Sequence, residues 1–157
     1  EELRRMSIFD FFKKKGNRKD LIEENYDRLM TILQIQSSMI VGSLVPKDSL
    51  PKIEWIYGYL FGHIDFYLQI SKLKDDDQAW QLIVLRVFRS YFGDKDGDQI
   101  FESFPDLLKN NSFIEGQKTG GQELKDYIKK GEKFPPMGMV SYLHKKYKDY
   151  KKTKKIK

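Results

Sequence analysis

The sequence predicts an all-α fold: a single-domain bundle of about five to seven helices round a central, aromatic-rich helix at about residues 51–73. Three observations lead there. Apolar residues recur at spacings of three and four rather than two, which is the period of a helix face and not of a strand. Aromatic residues make up 14% of the chain, with eleven Phe, nine Tyr and two Trp, enough to fill a large core in 157 residues. Prolines and glycines sit between the periodic stretches, at Pro51, Gly93, Pro105, Gly131 and Pro135, where they open and close helices.

The first long helix is expected at about 20–41. Asp20 followed by Glu23 resembles a capping box. Leu21, Ile22, Tyr26, Leu29, Ile32, Leu33, Met39 and Ile40 share an arc of about 140° that faces a core. The stretch 42–49, with Pro46, is a connection, and Pro51 suits the first turn of the central helix. On that helix Glu54, Gly58, Gly62, Asp65, Gln69 and Lys72 form one narrow stripe and nearly everything else is apolar, so neighbours must surround it. Gly58 and Gly62, four apart, leave room for a neighbouring backbone or ring. Asp75, Asp76 and Asp77 then favour the start of a helix at 78–92, which Gly93 ends.

Ile100, Phe101 and Phe104 predict one short helix, and Pro105 opens another with Leu107 and Leu108. Gly120 and Gly121 read as a turn, with Thr119 and Gln122 as a capping box for a helix that stops at Gly131. Pro135 and Pro136 begin the last helix, with Met137, Val140, Leu143 and Tyr147 on one face.

Charge is concentrated at the ends. Residues 1–19 hold seven Lys/Arg against three acids, and residues 145–157 hold eight Lys against Asp149 alone, so the +6 chain has a body of about −5 between basic ends. By domain, 1–17 is a basic N-terminal segment that could form a short amphipathic helix, 18–144 the helical domain, and 145–157 a lysine-rich helix end and tail. Cysteine is absent, which excludes disulfide scaffolds, thiolate zinc sites and cysteine nucleophiles. The most apolar stretch, 53–73, carries Glu54, His63, Asp65, Gln69 and Lys72, so no transmembrane segment is expected. With no secretory pattern at the start, the expected location is cytoplasmic.

Five features carry chemistry. Asp94-Lys95-Asp96-Gly97-Asp98 resembles the opening of a calcium loop, but position 6 of such a loop needs Gly and here is Gln99, and position 12 needs Glu and here is Pro105. An acidic turn is the expected reading. His63 projects to the middle of the apolar side of its helix with Tyr59 and Tyr67 one turn either way; it is a structural histidine, or the centre of a ligand or enzymatic pocket. Arg86 and Arg89 share a narrow strip, where pairing with Glu54 or Asp65 competes with an anion contact. His144, among lysines, is expected to be exposed. The tail lysines Lys145, Lys146, Lys148, Lys151, Lys152, Lys154 and Lys155, interleaved with Tyr147 and Tyr150, are a solvated end or a contact for nucleic acid or anionic membrane.

No phosphate-binding glycine loop, nucleophile elbow, metal spacing or pair of catalytic acids is placed by the sequence, so neither cofactor nor metal is expected. The leading expectation is a non-enzymatic protein-interaction module, of adaptor or toxin-neutralising type, that meets a partner protein through a preformed helical surface. Polyanion binding by the tail is the alternative, and a pocket at His63 the second alternative.

Overall fold

The structure is a computed structural model that describes residues 17–41, 51–131, 133 and 135–154. Among them are seven helices and no strand, as the sequence predicts: α1 (Arg18–Val41), α2 (Glu54–Gln69), α3 (Asp77–Phe92), α4 (Asp94–Glu102), α5 (Phe104–Leu107), α6 (Asn111–Lys129) and α7 (Gly138–Lys154). The N-terminal amphipathic segment, the connection at 42–49 and Lys155 lie outside the described residues.

Helix α2 is the hub. Twelve of its residues are buried, from Trp55 to Leu68. Its closest neighbour is α6, and the contact is made by glycines from both helices. A Cβ on Gly58 or Gly62 would meet the backbone of Phe113 or Gln117 closer than 3.0 Å. A Cβ on Gly116 or Gly120 would meet that of Trp55 or Tyr59 just as closely. The numbers rise together on the two helices, so α2 and α6 run parallel. Each contributes an aromatic residue and two glycines at one spacing, Trp55-Gly58-Gly62 and Phe113-Gly116-Gly120. With no side chain between them, the Cα hydrogens of each helix face carbonyl oxygens of the other, where they form weak Cα–H···O contacts.

Round this pair the rings close the core. Phe61, Phe88, Phe104 and Phe113, from α2, α3, α5 and α6, meet with centroids 5.1 Å (Phe61–Phe104), 5.5 Å (Phe88–Phe104) and 5.7 Å (Phe104–Phe113) apart. Edge-to-face pairs of this kind are each worth about 0.5–1.5 kcal/mol beyond their buried area. Helix α1 adds Ile22, Leu29, Ile32 and Leu33, whereas Met39, expected on its core face, is 45% exposed. Helix α7 docks by stacking Tyr142 on Trp55, with centroids 4.0 Å apart and the rings within 2° of parallel.

Helix boundaries correct several expectations. The start of α1 is capped by Asn17, whose Oδ1 accepts the Lys19 N–H, and not by Asp20. Asp76 caps α3 by accepting the Ala79 N–H at 3.0 Å, and Gly93 ends that helix at φ 83. The central helix is shorter than predicted, since Pro51 lies in a turn ahead of it and Ser71 in a turn after it. The largest correction concerns Gly120 and Gly121, which lie inside α6 rather than in a turn. The helix begins at Asn111, with Asn110 Oδ1 accepting the Phe113 N–H. Thr119 caps nothing: its hydroxyl donates to Glu115 O one turn back. The pairing with α2 rewards glycine in the middle of a helix, where propensity alone costs about 1 kcal/mol for each one relative to alanine.

Candidate functional site

His63, Tyr59 and Tyr67 come together as the sequence suggests, but in a sealed interior. All three are 0% exposed. The His63 Nδ1 lies 3.2 Å from Tyr59 O. A carbonyl only accepts, so Nδ1 carries the proton and Nε2 keeps its lone pair, which has no hydrogen-bond partner among the described residues. Burial lowers the imidazole pKa to about 4, so the ring is neutral at physiological pH. Gly120 packs beside this contact, where a Cβ would come 3.0 Å from Nδ1. Solvent does not reach the ring, and the geometry is that of a structural histidine.

One turn away, Tyr59 anchors a polar network joining four helices. Its hydroxyl lies 2.5 Å from Glu123 Oε2 on α6 and 2.9 Å from the side-chain amide of Gln36 on α1. A hydroxyl has one proton, and the carboxylate is the stronger acceptor. The amide therefore satisfies the network best when its nitrogen is turned to donate to the phenol oxygen. Burial, with the Glu123 carboxylate beside it, holds the phenol far above its usual pKa, so it stays protonated as a donor. Glu123 Oε2 also accepts the Gly138 N–H at 3.0 Å, placing a carboxylate at the N-terminus of α7.

Arg86 and Arg89 are both paired, with partners other than those expected. Arg86 grips Glu23 of α1 through two hydrogen bonds of 2.9 and 3.1 Å and lies 3.8 Å from the centroid of the Tyr26 ring. Arg89 donates to Asp98 of α4 at 2.7 Å. Asp65 instead accepts from Gln69 at 2.9 Å. These contacts tie α1 and α4 to α3, and they occupy the guanidinium groups offered as an anion contact.

The calcium-like stretch is neither loop nor turn. Residues 94–102 are helical, Gly97 lies against the backbone of Arg89, Asp96 pairs with Lys52 at 2.5 Å and Asp98 with Arg89. Among the described residues no cluster of three or more His, Cys, Asp or Glu could hold a metal ion.

Two surface features escaped the sequence reading. A groove of about 430 Å³ runs along α1, lined by Glu24, Asp27, Arg28, Thr31, Ile32 and Ile35, with Tyr127 of α6 at its side. A row of lysines, Lys118, Lys125 and Lys129, follows the outer face of α6. Their spacing of seven and four was there to be read, but the presumed turn at Gly120 cut the helix between them. In the C-terminal region His144, Lys145 and Lys146 are exposed, and Lys146 Nζ lies 5.4 Å from the Tyr142 ring centroid. The side chains of Lys148, Lys151, Lys152 and Lys154 lie outside the described residues.

Comparison with known protein families, curated proteins and solved structures found no match. Among the described residues no helix is long and apolar enough to cross a membrane.

Proposed function

We propose that this protein is a non-catalytic interaction module that receives a basic, amphipathic segment of a partner protein in the α1 groove. The groove itself carries the reading. Its floor is apolar, through Ile32, Ile35 and Tyr127, while Glu24 and Asp27 line it with Arg28 between them. An apolar floor takes anchoring side chains, and flanking carboxylates select cationic neighbours. The groove is preformed: Ile22, Leu29, Ile32 and Leu33 seat α1 in the core, the Arg18–Asp76 and Arg86–Glu23 pairs link it to α3, and Gln36 ties it to Tyr59 and so to the glycine-packed pair α2–α6. A rigid surface loses little entropy on binding. An adaptor or a toxin-neutralising protein needs that property.

The test is affinity capture with three full-length proteins: wild type, Glu24→Lys/Asp27→Lys/Ile35→Asp, and a variant with Lys145, Lys146, Lys148, Lys151, Lys152 and Lys154 all changed to Gln. The expected result is a protein partner retained by wild type and the Lys→Gln variant and lost by the groove variant. It should then bind as a purified protein, about tenfold or more weakly to the groove variant. A partner lost only with the lysines would overturn the reading in favour of a polyanion contact at the tail.

A further inference from the structure

Charge is divided between two parts of the folded chain. Residues 17–110, which include α1 to α5, carry eleven Lys/Arg against fifteen acids; residues 111–157, which include α6 and α7, carry thirteen Lys against five acids. In the first part cations are used to hold the fold, with Arg18 on Asp76, Arg86 on Glu23 and Arg89 on Asp98. The lysines of α6 do no such work. Lys118, Lys125 and Lys129 lie within about 40° of one another round the helix, over a length of about 17 Å. Lys130 and Lys133 continue the positive surface past the helix end, both exposed. None of these five is held in an ion pair among the described residues. Glu115 and Asp126 flank the row, and Asp126 is engaged by Gln122 at 3.0 Å. Lys125 and Lys129, four apart on one face, repel each other with no ion pair among the described residues to offset it.

We propose that this row on α6 binds the phosphate backbone of double-stranded nucleic acid without reading its sequence. The row is longer than the roughly 12 Å width of the major groove, so its ends reach phosphates on both strands. It contains only lysine, a point charge suited to phosphate, and no arginine fork to read a guanine edge. Among its members there is no aromatic ring on which an unpaired base would stack, and no apolar wedge to enter a lipid surface. The surface is separate from the α1 groove and does not depend on what binds there.

Fluorescence anisotropy with a labelled mixed-sequence DNA duplex of about 24 base pairs tests this on the full-length chain, between about 50 and 200 mM salt. Neutralising the row (Lys118→Gln, Lys125→Gln, Lys129→Gln) should weaken binding about tenfold or more at about 100 mM salt. It should also make the slope of log K against log salt shallower by about 2 to 3. An equal neutralisation at the tail (Lys151→Gln, Lys152→Gln, Lys154→Gln) should cost less. Arginine at the three row positions keeps the charge and should keep the affinity, with circular dichroism verifying the helices of every variant. The proposal is overturned if the row variant binds as wild type does, if the tail variant alone loses binding, or if wild type ignores the duplex at about 50 mM salt. Preference for phosphatidylserine vesicles over the duplex would overturn it too.

Discussion

The Tyr59 hydroxyl sits 2.5 Å from Glu123 Oε2, the same oxygen that receives the first backbone N–H of α7 from Gly138. One part-buried carboxylate thus joins the centre of α2 to the start of the last helix, and Gln36 brings in α1. Removing the Tyr59 hydroxyl leaves the buried Gln36 amide without that partner, which costs more than the bond itself contributes. Tyr59→Phe should destabilise the fold by about 1.5–3 kcal/mol in urea denaturation. Hydrogen exchange should quicken first in α7, because among the described residues Glu123 then keeps only the Gly138 N–H to hold it. A uniform rise in exchange over the whole chain would contradict this linkage.

Neighbouring glycines in α6 should respond in opposite directions. Gly120→Ala drives a methyl into the backbone of Tyr59, with His63 Nδ1 3.0 Å away, and should cost about 1–3 kcal/mol or more as α2 and α6 separate. Gly121 has its nearest atom, Gly62 O, at 3.4 Å, an ordinary contact. There alanine should be neutral or stabilising by up to about 1 kcal/mol through helix propensity. Thermal melts of the two variants decide the matter, since equal shifts would mean that the glycine contact does not set their need.

His63 makes the fold acid-sensitive in a defined window. Its pKa is about 4 in the folded protein against 6.5 for the free side chain, so the unfolded chain takes up the proton first as pH falls. Stability is complete above about pH 6.5, declines towards pH 4, and the total loss is on the order of 3 kcal/mol. His63→Gln cannot titrate and should flatten this part of the stability curve while lowering its plateau. Asp76 adds a second decline further down. The hydrogen bonds from Arg18 lower its carboxyl to about 2, so its contribution is present above about pH 3.8 and is lost as pH falls through 2. Urea midpoints measured from pH 7 down to about pH 2 should separate the two, with only the upper part altered in His63→Gln.

The Arg86–Glu23 pair is part-exposed, with side chains 29% and 49% accessible, so its electrostatic worth is modest. A double-mutant cycle with Arg86→Ala and Glu23→Ala should give a coupling of about 0.5–1 kcal/mol that falls as salt rises. Arg86→Lys should retain less than half of it, since an ammonium cannot make the two-pronged contact or lie flat on Tyr26.

Much of the helical framework was legible from residue pattern. Apolar spacing located α1, α2 and α3, the aspartates before α3 marked its start and Gly93 its end. Those signals are local: a face, a cap or a stop is written within a few residues of where it acts. Burial of His63 followed from the same periodicity, and exposure of His144 from the lysines beside it. The extent of α6 did not follow, because two adjacent glycines flanked by Thr119 and Gln122 imitate a turn and a cap.

What the chain determines by itself is the helical character of its segments and which stripe of each is apolar, since both follow from neighbours in sequence. Tertiary structure decided which backbones could approach, and so why Gly58, Gly62, Gly116 and Gly120 stand where they do. It also decided that Arg86 meets Glu23, 63 residues away, and that Tyr59 meets Glu123, 64 residues away. Such partnerships depend on how helices cross, and a crossing is a property of two surfaces at once, which no single stretch of sequence contains.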